Sequence, residues 1–174
     1  MGSHINEKLK KIKILLLDVD GVMTDGSITI DNKGVESKSF HVRDGHGIKL
    51  LQRAGVKVGI ITGRDSKVVL HRAAELGIEI IYQGIKVKME AFTRILENEK
   101  VSAQEVAYVG DDVVDLPVLR EAGFSVAVAD ASHVILSHVD YVTKKCGGRG
   151  AVREVTDLIL EGKGLWSEVM GRYF

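Results

Sequence analysis

The sequence contains almost no cysteine and almost no proline. Cys146 is the only cysteine among 174 residues, so no disulfide forms within one chain and a four-cysteine zinc site is excluded. Pro117 is the only proline, and no linker, repeat or low-complexity tract divides the chain. A chain of this length is long enough for one domain with a real core and short for two, so we predict one domain over residues 7–174.

A net charge and a long apolar run are also missing. The 24 basic side chains balance the 24 acidic ones, so the charge favours neither a nucleic acid nor a membrane as partner. The apolar run at residues 14–17 ends at an aspartate, whereas a signal peptide or a membrane-spanning helix needs a longer run.

The opening Met1-Gly2-Ser3-His4 has the form of a tag remnant, and we assign residues 1–6 to that remnant and an N-terminal extension. The composition fits a reducing compartment, and we expect a cytoplasmic protein.

Five short apolar runs alternate with segments of helical periodicity. The runs lie at residues 12–17, 56–61, 78–82, 106–109 and 124–128. They lack clean polar alternation, which is typical of parallel strands covered on both faces. Segments in which apolar residues recur at spacings of three and four lie between them, at residues 47–54, 66–76 and 87–97. The pattern predicts an α/β fold: a three-layer, doubly wound, Rossmann-like parallel sheet.

Turn signals complete this fold prediction. Residues 27–40 have strand-like composition on both sides of a turn at residues 31–34, which predicts a protruding β-hairpin. Gly55, Gly77 and Gly123 each follow a helical segment, where a left-handed residue ends the helix before the next strand.

Three of the predicted strands end in polar clusters. The clusters are Asp18-Val19-Asp20-Gly21, Thr62-Gly63-Arg64 and Gly110-Asp111-Asp112. Ligands of open α/β sheets bind beyond the carboxyl ends of the strands, so we expect the clusters to line one cavity. A carboxylate pair joined by a third acid forms an oxygen-rich site that suits Mg²⁺.

The clusters contain the groups that hydrolysis of a phosphate monoester requires. Asp18 and Asp20 fit the roles of a carboxylate that attacks phosphorus and a second that exchanges a proton with the leaving oxygen and with water. Thr62 and Lys88 can supply fixed donors to the charge that develops on the phosphoryl group.

Each feature has a structural explanation when it is taken alone. An Asp-x-Asp-Gly tetrapeptide is usually a turn or part of a calcium loop. Thr62 can cap a helix, Lys88 can lie on a solvated helix face, and Asp115 can be an ordinary acid of a first helical turn. The recurrence of polar clusters at three successive strand ends favours catalysis.

In these motifs and their order the chain resembles the haloacid dehalogenase-like phosphatases. The resemblance rests on the Asp18 motif, Thr62, Lys88 and the Gly110-Asp111-Asp112 motif with Asp115. It implies that Asp18 is the nucleophile and Asp20 the general acid and base. It further implies that phosphate is bound by Thr62, Gly63 and Lys88. Mg²⁺ would be bound by Asp18, Asp111 and the main-chain carbonyl of Asp20, and Asp112 and Asp115 would support these ligands without binding the ion.

Five segments narrow the resemblance to the capless family of 3-deoxy-D-manno-octulosonate 8-phosphate (KDO 8-phosphate) phosphatases. They are residues 18–26, 40–48, 82–84, 106–112 and 147–155. The resemblance implies a sugar phosphate substrate, a role in lipopolysaccharide precursor biosynthesis, and a homotetramer in which the hairpin at 27–40 packs between subunits. The spacing itself leaves no room for a cap, because only 43 residues lie between Asp18 and Thr62.

The prediction of which sugar phosphate is the substrate rests on two arginines. The resemblance implies that Arg64 distinguishes octulosonate enzymes from nonulosonate enzymes, which have glutamate there, and that Arg72 contacts substrate from an adjacent subunit. A guanidinium pairs well with a sugar carboxylate.

A phosphatase of a nonulosonate 9-phosphate or another sugar phosphate remains an alternative, as do a phosphotransferase and a non-catalytic binding subunit. The resemblance places Arg149 near the site but gives it no defined role. Residues 171–174 form either a tail that covers the active site of a neighbouring subunit or an ordinary frayed terminus.

Overall fold

The fold is described here for residues 3–174 of a computed structural model. Its strands are β1 (Ile14–Leu17), β2 (Thr29–Ile30), β3 (Glu36–Ser37), β4 (Lys57–Ile61), β5 (Ile80–Tyr82), β6 (Val106–Gly110), β7 (Phe124–Ala127) and β8 (Tyr141–Val142). Its α-helices are α1 (Ser3–Lys11), α2 (Val42–Arg53), α3 (Lys67–Leu76), α4 (Lys88–Glu99), α5 (Leu116–Glu121), α6 (His133–Leu136), α7 (Ala151–Gly162) and α8 (Trp166–Met170).

Six parallel strands form the central sheet, in the order β5-β4-β1-β6-β7-β8. The chain moves outward from β1 through β4 to β5, then crosses back to β6 and moves outward in the other direction. The order of the strands therefore reverses between β1 and β6. In sheets of this kind that reversal opens a crevice at the carboxyl ends of the two strands.

Helices cover both faces of the sheet, as the apolar runs predict. One buried cluster joins the sheet to helices α1, α2, α3 and α7, with Leu9, Ile48, Ala73 and Val155 as representative members. The other joins the opposite face to α4, α5 and α6. Burial of the strands on both sides explains why the runs lack polar alternation. The predicted three-layer, doubly wound α/β fold is confirmed.

The hairpin is present, but its ladder is shorter than the sequence indicates. Strands β2 and β3 have two residues each and pair antiparallel, with Thr29 opposite Ser37 and Ile30 opposite Glu36. The connection from β1 to β4 consists of this hairpin and α2, and α4 is the only α-helix between β5 and β6 in residues 3–174. Neither connection contains a cap.

Two of the three glycine predictions agree with the structure. Gly55 and Gly77 follow α2 and α3 with φ of +79° and +64°, as a left-handed helix end requires. The prediction for Gly123 was wrong, because its φ is not positive. A Cβ there would instead collide with the backbone of Gln104, so close approach of two chain segments explains this glycine.

Several short or terminal elements have no counterpart in the sequence prediction: α1, α6, α8 and β8. Helix α1 begins at Ser3, and Ile5 packs against the core although it lies in the segment assigned to the tag and extension. Met1 and Gly2 lie outside the described residues, so the tag assignment stays a prediction. No helix in residues 3–174 is both long and apolar enough to cross a membrane.

Candidate active site

The site lies at the carboxyl ends of β1, β4 and β6, where the strand order reverses. Asp18 follows β1, Thr62 follows β4 and Asp111 follows β6. Strand β1 pairs with both β4 and β6, and Leu17 is aligned with Ile60 and Val109. The register brings the three predicted polar clusters to one edge of the sheet, as expected.

The loop after β1 turns sharply and needs a glycine. Residues Val19–Met23 form a π-type turn, and the Asp18 Oδ1 atom accepts a 2.7 Å hydrogen bond from the Val19 N–H. Gly21 has a φ of +89°, and a Cβ on it would collide with the Asp111 carboxylate. The glycine therefore lets the first loop close against the third.

A buried ammonium group connects the acids of the site. The Lys88 Nζ atom lies 2.9 Å from Asp18 Oδ2 and 2.6 Å from Asp115 Oδ1. The Lys88 side chain is 4% exposed and that of Asp115 is fully buried. Burial alone would lower the pKa of Lys88, but the charges of Asp18 and Asp115 outweigh it and raise that pKa. Lys88 is thus held as a cation beside Asp18.

Asp115 organises this cluster through four hydrogen bonds. Its Oδ1 atom accepts from Lys88 and from the Tyr108 hydroxyl at 2.6 Å each. Its Oδ2 atom accepts from the N–H groups of Asp111 and Asp112 at 3.0 and 3.3 Å. Asp115 therefore orients Lys88 and shapes the loop after β6, which is more than an ordinary acid of a first helical turn does.

The donor set fits a divalent cation. One oxygen from each of Asp18, Asp111 and Asp115 lies within 4.8 Å of the others. Both Asp115 oxygens already accept hydrogen bonds, so Asp18 and Asp111 are the carboxylates of this group that are left to bind a cation. Burial raises the pKa of Asp111 to about 7, and the charges of Asp18 and Asp115 add to that rise. Burial likewise raises the pKa of Asp18 to about 6, against the opposing charge of Lys88. Carboxylates crowded in this way are short of positive charge, and oxygen atoms are the ligands that Mg²⁺ prefers.

Mg²⁺ is expected to raise the melting temperature more at about pH 7.5 than at about pH 5.5, because at the lower pH the cation must displace protons from Asp18 and Asp111. Without a cation, the raised pKa values make the folded chain bind more protons than the unfolded one, so these groups reduce stability as pH rises from about 4 to about 7. At saturation we expect a rise of roughly 5 °C or more at the higher pH.

Thermal unfolding with Mg²⁺ or with EDTA at both pH values measures this effect. The variant Asp111→Asn serves as the control and should lose most of the magnesium-dependent rise. Equal rises at the two pH values, or an unchanged rise in the variant, would contradict the assignment of the cation to these carboxylates.

Three further residues predicted for the site lie in the loops that follow β4 and β6: Thr62, Gly63 and Asp112. Thr62 is buried, and its hydroxyl faces the Arg64 N–H at 3.5 Å. Gly63 lies beside it, and a Cβ there would meet only the Ile85 carbonyl at 3.7 Å. Asp112 is exposed and caps the short turn that follows β6, through a 2.7 Å bond from the Val113 N–H.

Arg72 is not brought into the site of its own chain. It lies on α3, where its guanidinium stacks 5.6 Å from the Phe40 ring centre and pairs with Glu75 at 2.8 Å. Among residues 3–174, no hydrogen bond or ion pair joins it to Asp18 or Asp20. Its contact with substrate from an adjacent subunit stays a prediction.

The sequence reasoning missed two charged residues that the hairpin carries to the site, Glu36 and Lys38. Lys38 forms an ion pair with Asp20, and Glu36 accepts a 3.2 Å hydrogen bond from the Arg64 guanidinium. Glu36 lies in β3 and Lys38 directly follows that strand, and their side chains approach each other with 3.4 Å between Lys38 Nζ and Glu36 Oε1. The composition of the hairpin predicts a turn but gives no signal that these two side chains reach Asp20 and Arg64.

Residues 45–123 match a family model described as haloacid dehalogenase-like hydrolase. The 3-deoxy-D-manno-octulosonate 8-phosphate phosphatase KdsC of Salmonella typhi is 48% identical, over 99% of this chain and 92% of its own. The KdsC protein of Escherichia coli K12 is 49% identical over the same shares of the two chains.

The chain belongs to the KDO 8-phosphate phosphatase family.

Solved structures agree with this membership. The KDO 8-phosphate phosphatase of Moraxella catarrhalis, crystallised with a magnesium ion, a phosphate ion and KDO, matches with a TM-score of 0.97 and 39% identity over the full length of both chains. The phosphatase of Yersinia pestis matches with a TM-score of 0.93 and 45% identity, over 95% of this chain and 89% of its own. The family resemblance drawn from the motifs is confirmed.

Proposed function

We propose that this protein is a magnesium-dependent phosphatase that hydrolyses KDO 8-phosphate to KDO and phosphate. One observation carries the proposal: Asp18 lies at the strand-order reversal with the buried Lys88 cation 2.9 Å from its carboxylate and Asp111 close by. The identity to KdsC proteins over the whole chain supports the substrate.

In the first step of the proposed mechanism, an Asp18 carboxylate oxygen attacks phosphorus in line with the bond to the sugar oxygen. That P–O bond breaks, and Asp20 gives its proton to the departing alkoxide. The products of this step are free KDO and an aspartyl-phosphate on Asp18.

In the second step Asp20 removes a proton from a water molecule, which attacks phosphorus and releases phosphate. The Asp18 carboxylate is regenerated and Asp20 is again protonated, so the proton count closes over one turnover.

Fixed donors stabilise the transferred group. The Lys88 ammonium lies beside Asp18, and the Thr62 hydroxyl with the Gly63 backbone lines the same edge of the sheet. Asp18, Asp111 and the Asp20 carbonyl would hold Mg²⁺, which would supply positive charge to the phosphoryl oxygens. Asp112 and Asp115 support the loop that carries Asp111.

The wider setting is part of the same proposal. Residues 7–174 act as one capless domain in a cytoplasmic enzyme of lipopolysaccharide precursor biosynthesis. The enzyme works as a homotetramer in which the hairpin packs between subunits and Arg72 reaches a neighbouring site. Exposed apolar side chains on the hairpin, Ile28, Ile30 and Val35, support such packing, because they lie outside the core of their own chain.

Parallel assays with KDO 8-phosphate and a nonulosonate 9-phosphate test the substrate. We expect kcat/KM to be at least about fivefold higher for KDO 8-phosphate, because Arg64 offers a guanidinium to the sugar carboxylate. Phosphate release with Mg²⁺ and its loss with EDTA test the chemistry separately. Equal efficiency on both sugars would overturn the substrate, whereas no phosphate release from either would favour a non-catalytic subunit.

A further inference from the structure

Glu36 and Lys38 of the hairpin form a closed ring of four alternating charges with Arg64 and with Asp20 in its ionised form, the form that Asp20 has after it has given up its proton. Lys38 pairs with Asp20 and lies 3.4 Å from Glu36 Oε1. The Arg64 Nη2 atom donates to Glu36 Oε1 at 3.2 Å, and Arg64 Nε lies 3.7 Å from Asp20 Oδ2. Each charge thus has two neighbours of opposite sign. The Lys38 side chain is only 1% exposed, so salt and water screen this part of the ring poorly.

Glu36 is fixed on both of its oxygens. Its Oε2 atom accepts from the Ser66 hydroxyl, while Oε1 accepts from Arg64. The Ser66 hydroxyl, the Arg64 guanidinium and the Lys38 ammonium lower the pKa of Glu36. Ser66 caps α3 and Lys38 contacts Asp20, so Glu36 is tied to both sides of the site mouth.

This arrangement leaves one edge of the Arg64 guanidinium available. Glu36 and Asp20 lie at Nη2 and Nε, which share one side of the group. The end formed by Nη1 and Nη2 has no second carboxylate among residues 3–174, and the Arg64 side chain is 45% exposed. A carboxylate binds such an end through two parallel hydrogen bonds, provided that the guanidinium is held in a fixed plane.

We propose that Glu36 is a positioning residue that fixes the Arg64 guanidinium for the carboxylate of an acid-sugar phosphate, and so contributes to specificity. The inference rests on the proposed function. Glu36 acts through Arg64, and its contact with the Lys38 that pairs with Asp20 is the longer one, at 3.4 Å, so its loss should affect recognition of the carboxylate more than phosphoryl transfer.

The test compares kcat and KM of Glu36→Ala on KDO 8-phosphate and on p-nitrophenyl phosphate, which has no carboxylate. We expect KM for KDO 8-phosphate to rise roughly tenfold with little change in kcat. For p-nitrophenyl phosphate, whose turnover depends on Asp20 but not on a carboxylate contact with Arg64, we expect kcat/KM to fall several-fold less than for KDO 8-phosphate. Glu36→Gln keeps an oxygen that accepts from Ser66 and Arg64 and should restore much of the affinity. Ser37→Ala, at the adjacent exposed position of β3, is the matched control.

A double variant distinguishes positioning from general folding effects. In an Arg64→Ala background, Glu36→Ala should have no further effect on KM, because the group it orients is gone. Light scattering of each variant checks that the assembly is unchanged. Equal changes on both substrates, no change on either, or full additivity with Arg64→Ala would overturn the proposal. Failure of the wild type to hydrolyse KDO 8-phosphate would overturn the proposed function instead, and is visible before any variant is made.

Discussion

Replacing Asp18 with asparagine is expected to lower kcat by at least about 10⁴-fold, because an amide cannot act as the nucleophile that receives the phosphoryl group. Asparagine has the same shape and keeps an oxygen that can accept the 2.7 Å hydrogen bond from the Val19 N–H. The loop after β1 should therefore keep its conformation. Phosphate release from KDO 8-phosphate in saturating Mg²⁺ measures the loss.

The same variant should unfold no more easily than the wild type when Mg²⁺ is absent. Burial raises the pKa of Asp18 to about 6, so its ionised form reduces stability at about pH 7.5, and a neutral side chain avoids that cost. Lost turnover with unchanged or higher melting temperature distinguishes a catalytic role from a folding role. Retained turnover, or lost turnover together with unfolding, would contradict the role given to Asp18.

Replacing Lys88 with methionine should affect both stability and catalysis. Methionine fills similar space but leaves the carboxylates of Asp18 and Asp115 without their shared cation in a buried site. Removing one partner of a buried ion pair costs about 3 kcal/mol of unfolding free energy, and the three other donors to Asp115 limit the loss. Loss of a positive charge beside the phosphoryl group should lower kcat by at least about 10³-fold.

Urea unfolding in EDTA and steady-state kinetics in Mg²⁺ measure the two effects. Lys86→Met is the matched control, because Lys86 is exposed two residues before Lys88 and has no ion pair among residues 3–174. The control should change stability by less than about 0.5 kcal/mol. If Lys88→Met resembles the control, Lys88 is not the cation that holds this cluster together.

The place of the candidate site was predictable because its residues follow three strands that are mostly hydrophobic and buried. Runs of that kind indicate buried parallel strands, and the carboxyl ends of parallel strands lie at one edge of a sheet. Asp18, Thr62 and Asp111 therefore had to approach one another once the runs were assigned. The structure adds what spacing does not contain: the 2.6 Å contact of Lys88 with Asp115 and the close approach of Gly21 to Asp111.

The contribution of the hairpin was not predictable from the sequence. Strands of two residues give almost no periodicity, so their composition shows a turn but not the direction in which Glu36 and Lys38 point. Their positions depend on how the hairpin folds back over Asp20 and Arg64, which is a matter of tertiary packing. The prediction that Gly123 ends a helix in the left-handed conformation was wrong for a similar reason. A side chain is excluded there by the backbone of Gln104, which is distant in sequence.

The most direct measurement is to stop turnover of KDO 8-phosphate with acid and reduce the protein with borohydride. An acyl-phosphate on Asp18 would be converted to an alcohol, so residue 18 would appear as homoserine in mass spectra of its peptide. The proposed mechanism predicts this product in wild-type protein with Mg²⁺, and its absence in Asp18→Asn and in samples without substrate. Rapid phosphate release with unmodified Asp18, or a label on a different residue, would contradict it.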